Sequence, residues 1–495
     1  MKKPILISSI LSLCIGQNLS ESMIISGDGV NSQADIAMNQ EGVLYSVWLQ
    51  NSNGYNIQFS YSDDGGSTFS EPNQVNDHLN SVIHIGNSGP KIDVWGDTIH
   101  VIWADERNGY TNSNIYYSQS VDQGETWTSS ASIGQSAKFN IYPEIKVSAD
   151  GHIHVIYYSY NRHSLDFDDI HYIESTDNGA SFSSSVIASN FSDQEPCDCC
   201  AADIHVLENN SKILAFRNNN NNIRDMFSVS IQEGDTDWGH LTQISRDNFH
   251  INYCPSSGPS IDGFEQMTAV VYMAPYFDDT RIYLKVSHDN GSSYGDSILV
   301  DLDAETGINQ DHPIVGFSPN GDTHIIWEDS RNFGDIYYGR LGNGDTVLTD
   351  LNNLTEEVDA ATQKYPRMIV GSDASVYVVW TDFTNSGDII FRNLQGNFVN
   401  IDEQVKQAKS FSLIGNYPNP FNPNTTIEIA LKKREKISLQ ILDVQGRWIK
   451  TLVESELEQG IHHFRWSGKS HSSGIYFVKI ESKSFSEIQK IVLLK

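Results

Sequence analysis

Ser62-Asp63-Asp64-Gly65-Gly66-Ser67-Thr68-Phe69 returns three more times along the chain. The copies are Ser120-Val121-Asp122-Gln123-Gly124-Glu125-Thr126-Trp127, Ser175-Thr176-Asp177-Asn178-Gly179-Ala180-Ser181-Phe182 and Ser287-His288-Asp289-Asn290-Gly291-Ser292-Ser293-Tyr294. At this spacing Ser and Asp side chains hydrogen-bond the backbone of a tight turn, and Gly66, Gly124, Gly179 and Gly291 supply its positive φ. The closing aromatic, Phe69, Trp127, Phe182 or Tyr294, is expected to pack against a neighbouring unit. Ser62, Asp64, Ser120, Asp122, Ser175, Asp177, Ser287 and Asp289 are read as residues that build the turn.

Working outward, each turn sits in a longer repeat. Apolar runs end on Trp48, Trp103, Tyr157, Phe216, Tyr272, Trp327 and Trp380, at spacings of 55, 54, 59, 56, 55 and 53 residues. A strand precedes each aromatic, often opened by proline (Pro90, Pro143, Pro259, Pro366), and another follows, as in Asn114–Ser118, Asp169–Tyr172 and Asp335–Tyr338. Each unit therefore reads as a four-stranded antiparallel sheet. Such a sheet cannot bury both faces alone, and radial stacking limits exposed edges. The expected fold is all-β: a β-propeller of seven blades, alternatively six, with Met23–Ser26 as the outer strand that closes the ring.

The repeated turns resemble the Asp boxes of the sialidase-like, BNR-repeat propellers, and the resemblance covers nearly all of residues 23–400. It implies that the boxes lie on the face away from the functional site. The end of the chain, Asn416-Tyr417-Pro418-Asn419-Pro420-Phe421-Asn422-Pro423, then Asp443-Val444-Gln445-Gly446-Arg447 and Ser473-Gly474-Ile475-Tyr476-Phe477-Val478-Lys479-Ile480, resembles the type IX secretion C-terminal sorting domain. That implies export across the outer membrane, contact with the secretion machinery, and a place on the cell surface or outside the cell. Read from residues alone, the alternation of Ile427, Ile429 and Leu431 and of Ile437, Leu439 and Ile441 marks a small Ig-like β-sandwich.

The start of the chain, Lys2 and Lys3 followed by an apolar run from Ile5 to Ile15, reads as a secretory signal with cleavage near Gly16. The organisation expected is thus a signal at 1–16, the propeller at 17–400, a linker at 401–411 and the sorting domain at 412–495. No stretch is long and apolar enough for a transmembrane span. Of 495 residues, 21 are Phe, 22 Tyr and 9 Trp, too aromatic for a disordered chain. The net charge is −31, with 53 acidic against 18 basic residues up to position 400 and a basic excess beyond it. A field so negative repels nucleic acid and anionic membrane. A monomer without cofactor or bound metal is expected.

In a propeller, function belongs to the loops that enter each inner strand and to those joining second and third strands. The second kind carries Asp105-Glu106-Arg107, Arg162-His163, Arg217, Arg224-Asp225, Arg281 and Glu328-Asp329-Ser330-Arg331; the first kind carries His84, His250, Asp311 and His312. Converging guanidinium groups would grip a carboxylate bidentately. The expected ligand-binding set is therefore Arg217, Arg224, Asp225, His250, Arg281, His312 and Arg331. Asp105/Arg107 and Asp329/Arg331 occupy one repeat position, so a pair that braces its own loop is the competing reading. Sialidases place an arginine near the start of the propeller, whereas the first arginine here is Arg107. If a glycosidase pair exists, Asp311 and Glu328 are the candidates.

Pro196-Cys197-Asp198-Cys199-Cys200 and Cys254-Pro255-Ser256-Ser257-Gly258-Pro259 fall at one repeat position in adjacent units. Removal of the signal, which carries Cys14, leaves four cysteines, and an even count in an exported protein points to disulfides, with Cys199 or Cys200 joined to Cys254 and the other to Cys197. A thiolate metal site with His250 nearby is the rival. Two functions follow: a surface propeller that recognises glycan or protein, or an extracellular glycoside hydrolase of sialidase-like type acting on acidic or complex glycans.

Overall fold

The computed structural model describes residues 20–394 and 411–495, apart from 136–137, 162–165, 192–194, 233–234, 236, 302–303, 346, 349, 356–361, 385, 418, 432–433, 444–446, 458–459 and 483–485. The signal at 1–16, the Arg162-His163 pair and all of the linker but Phe411 lie outside the described residues. The chain divides into two compact units, Met1–Asn397 and Phe398–Lys495.

Short β-branched runs between turn residues produce strands, and antiparallel pairing follows from the short connections. Among the described residues the first unit holds seven four-stranded antiparallel sheets. Their inner strands are Val30–Met38, Lys91–Trp95, Phe139–Val147, Asp203–Val206, Ser260–Phe264, Gln310–Phe317 and Gln363–Val370. The seven aligned aromatics all lie on the second strands and all are 0 % exposed, so each sheet buries its largest side chain against a neighbour. In the seventh sheet Met23–Ile24 pairs with Asp388–Leu394, Met23 opposite Phe391. Ile36 and Trp48 of the first sheet share a core with Val379 and Phe391 of the seventh, so the ring is closed.

The repeated turns join third to fourth strands. In each, serine Oγ donates to the aspartate and accepts from the glycine N–H, as with Ser120 to Asp122 Oδ1 at 2.7 Å and Gly124 N to Ser120 Oγ at 2.9 Å. Trp127 meets Phe59 of the preceding sheet edge-on at 5.2 Å, and Phe182 meets Tyr117 likewise at 5.0 Å. Gly124 has φ +84°, and a Cβ there would lie 2.2 Å from Phe59 Cε1. Gly124→Ala should cost about 3 kcal/mol in urea unfolding through overpacking and strain. Gly65→Ala, with φ +70° and nothing within 4 Å, should cost about 1 kcal/mol, the left-handed backbone alone.

Proline does not open every inner strand. Pro143 and Pro366 lie inside Phe139–Val147 and Gln363–Val370, at register shifts where the ladder needs no donor. The inner strands also clamp one another through carboxylates: Asp35 Oδ2 accepts from Ile92 N at 3.0 Å, Asp93 from Val147 N at 2.7 Å, and Asp203 from Ile261 N at 2.9 Å. The second unit packs a three-stranded sheet (Phe411–Tyr417, Asn424–Leu431, Gly460–Ser467) on a four-stranded one (Glu435–Asp443, Trp448–Leu457, Gly474–Glu481, Ser486–Leu493). Ile427, Ile429, Leu431, Ile437, Leu439 and Ile441 form its core with Trp466.

Candidate functional site

One face of the ring carries the repeated turns and the hairpins between first and second strands. The other carries the loops entering inner strands and those joining second to third strands. At the mouth of the central channel on that second face, four inner strands are bulged: register shifts fall at Ser32/Asp35, Ile141/Glu144, Asp311/Ile314 and Lys364/Arg367. Each bulge holds a non-glycine residue at positive φ: Gln33 (55°), Tyr142 (51°), His312 (46°) and Tyr365 (57°). Such backbone costs free energy and marks places where a side chain is re-aimed.

His312 is the most constrained of the four. Its Nε2 lies 3.0 Å from the Ser256 carbonyl oxygen, and its Nδ1 lies 3.3 Å from Glu328 Oε2 and 3.7 Å from Asp311 Oδ2. Burial pushes the imidazole down, but Asp311, Glu328 and the Ser256 carbonyl outweigh it and raise the pKa to about 9. Burial likewise pushes Glu328 up, and the facing His312, with the Tyr365 N–H at 2.8 Å, holds it below the ordinary carboxylate value instead. Near neutral pH this is a closed ion pair; Glu328 is anionic and has no proton to give a leaving group.

The arginines divide by what they touch. Arg217, 1 % exposed, donates to the carbonyls of Ser257 (2.9 Å), Arg224 (3.0 Å) and Met273 (2.8 Å). Arg281, equally buried, donates to the carbonyls of Ile308 and Glu305. Arg331 forks onto Asp329 at 2.8 and 2.6 Å, reaches Asp301 at 2.6 Å and lies over the Tyr337 ring; Arg107 forks onto Asp105 in the same way. In these four places guanidinium braces loops, and the carboxylate-gripping cluster does not assemble from them. Asp225 is buried, accepting from Phe249 N at 3.4 Å, and burial raises its carboxyl. His250 is exposed and bridges to Ile223, and His84 stacks on Tyr55 at 4.4 Å. Arg224 points at Cys197 Sγ, 2.7 Å away. The sulfurs of Cys197, Cys199 and Cys200 lie within 4.8 Å of one another, a cluster that does not include His250.

The channel itself is lined by charge, with Asp35, Lys91, Asp93, Glu144, Lys146 and Arg367, while exposed aromatic side chains stand on the loop-rich face. Tyr365 stands 6.3 Å from the His312 ring and 6.4 Å from Phe383. The loops joining second to third strands expose Phe277 (91 %) and Phe333 (78 %), and the loop entering the fifth inner strand exposes Tyr253 (67 %). Phe277 (φ 55°) and Phe333 (φ 79°) are both in left-handed backbone, a costly conformation for a bulky side chain. The prolines after Tyr142, His312 and Tyr365 are the one trace that the bulges leave in the sequence.

The family model described as BNR repeat-like domain matches residues 35–378, and the one described as secretion system C-terminal sorting domain matches 416–494. No curated protein matches the chain. Among solved structures the chain is similar to a polysaccharide lyase, an ulvan lyase, at 9 % identity and TM-score 0.50, covering 77 % of this chain and 99 % of that one. It is similar also to an α-L-arabinanase of Penicillium chrysogenum at 12 % identity and TM-score 0.44, covering 76 % and 98 %. An α-L-arabinofuranosidase of Fusarium graminearum follows at 13 % and 0.43, covering 76 % and 97 %. At these identities the likeness is one of fold.

Proposed function

Because the chain belongs to the BNR repeat-like family and ends in a sorting domain for type IX export to the cell surface or extracellular space, we propose that it is an exported propeller that recognises glycans of low negative charge through its loop-rich face. The observation that carries this reading is the pair Phe277 and Phe333, exposed on strained backbone on the same face as the channel mouth. Backbone strain of this kind clusters at ligand-binding sites, and flat apolar rings suit the C–H faces of sugars. The acidic surplus of the first 400 residues turns the choice away from polyanions. The Glu328–His312 ion pair keeps Glu328 from serving as the protonated carboxyl that a glycosidase needs.

The test is affinity for a panel of neutral and acidic oligosaccharides with the full chain, beside product release from the same panel. Phe277→Ser combined with Phe333→Ser should weaken binding of the preferred neutral glycan about thirtyfold, with unchanged melting, because each ring contributes roughly 1 kcal/mol. Undiminished binding in the double variant would remove the aromatic surface from the reading. Product release would replace recognition with hydrolysis.

A further inference from the structure

Two loops that enter neighbouring inner strands meet at four sulfurs, and they approach closely: a Cβ on Gly258 would lie 1.7 Å from the Ala201 carbonyl oxygen. Cys199 and Cys254 are joined by a disulfide, with Cys254 on the exposed side. Cys197 and Cys200 are free thiols, each 0 % exposed, with their Sγ atoms 2.9 Å apart. Cys197 Sγ is also 3.5 Å from Cys199 Sγ. Behind them Arg224, 7 % exposed, aims Nη1 at Cys197 Sγ while its buried Nε has no hydrogen-bond partner among the described residues. A buried guanidinium set on sulfur stabilises a thiolate and repels a metal cation from the same lone pairs. The Cys200 thiol, donating to Cys197, outweighs burial together with the Cys199 N–H and Arg224, and brings Cys197 to about 7; burial holds the Cys200 proton on. This arrangement is independent of the glycan reading.

We propose that the four cysteines form a disulfide relay, in which the outer pair Cys199/Cys254 passes oxidation from a low-molecular-weight disulfide to the buried pair Cys197/Cys200. In the first step the Cys197 thiolate attacks Cys199 Sγ; the Cys197–Cys199 bond forms, the Cys199–Cys254 bond breaks, and the electron pair leaves on exposed Cys254, which takes a proton from solvent. In the second, Cys200 attacks Cys197, the Cys197–Cys200 bond forms, and Cys199 departs as a thiol with the Cys200 proton. The outer dithiol is then reoxidised by the external disulfide, which is reduced to two thiols. One external disulfide is consumed for each buried bond made. Nothing external has to reach Cys197 and Cys200, each 0 % exposed, since Cys254 is exposed and its partner Cys199 only half-buried.

The full chain, reduced by a small dithiol under conditions where tryptophan emission stays native, is given oxidised glutathione, quenched in acid, alkylated in denaturant and mapped by mass. The Cys197–Cys200 bond should form after the outer pair reacts, and at least tenfold more slowly in Cys254→Ser. Arg224→Gln, which alters no sulfur, should slow the transfer several-fold at pH 6.5 and leave it unchanged at pH 9, where Cys197 is ionised without help. Equal rates in Cys254→Ser, or an outer pair that cycles while the inner one never changes state, would overturn the relay. Should Cys254→Ser not fold, a pH-independent effect of Arg224→Gln decides against it.

Discussion

Acidification from pH 7 to pH 4 should destabilise the propeller by several kcal/mol, with most of the loss between pH 6.5 and 4. The cause is a set of buried histidines that sit three residues before the aligned aromatics. His100, His154 and His324, at most 1 % exposed, each hold Nδ1 2.8 Å from a tyrosine hydroxyl, Tyr117, Tyr172 and Tyr338 respectively. Burial lowers each to about 4. The unfolded chain binds protons near pH 6.5 and the folded chain does not, so the stabilisation present above 6.5 is lost as pH falls toward 4. Each site contributes up to about 3 kcal/mol, and the three together rival the whole stability of an ordinary domain. Asp93, raised to about 6 by burial, works in the opposite direction and offsets part of the loss. Urea midpoints at pH 7, 5.5 and 4.5 measure the slope; His324→Gln should flatten it by about a third, and an unchanged slope would show that this histidine does not titrate as its burial requires.

Arg217→Leu should lower stability by about 4 kcal/mol, because three carbonyls on separate segments lose a donor that water cannot replace. A residue whose task was to hold a ligand would instead leave melting nearly unchanged and abolish binding. Calorimetry on Arg217→Leu beside wild type separates these outcomes. The effect should exceed that of Arg224→Gln, which removes a contact to sulfur rather than to three backbone oxygens.

These two cases also show where residue patterns carry information and where they stop. The repeated turns and the seven aromatics place every sheet, because each obeys a local rule: a serine, an aspartate and a glycine make the turn, and a large ring fills the gap beside it. The arginines obey no local rule. Arg217 reaches Ser257 and Met273, 40 and 56 residues away, so nothing near it says whether the guanidinium faces backbone or solvent. The cysteine loops fall between these extremes, since their shared repeat position makes them neighbours but leaves the bonded pair open. The histidine–tyrosine pairs were visible in principle, as His100, His154 and His324 recur at one offset, yet a buried neutral histidine has no signature apart from its repeat. Phe277 and Phe333 read as ordinary loop residues until their backbone conformation is known.

The two-residue strand Met23–Ile24 has a kinetic consequence. It completes the sheet built from the last strands of the ring, so the first part of the propeller to be synthesised has no partner until nearly all the rest has been made. Contacts spanning most of a chain are slow to form, and the segments that await them stay open to proteases and to other chains. The final seam of the propeller is thereby the last to be made, and it joins the oldest residues of the ring to the youngest.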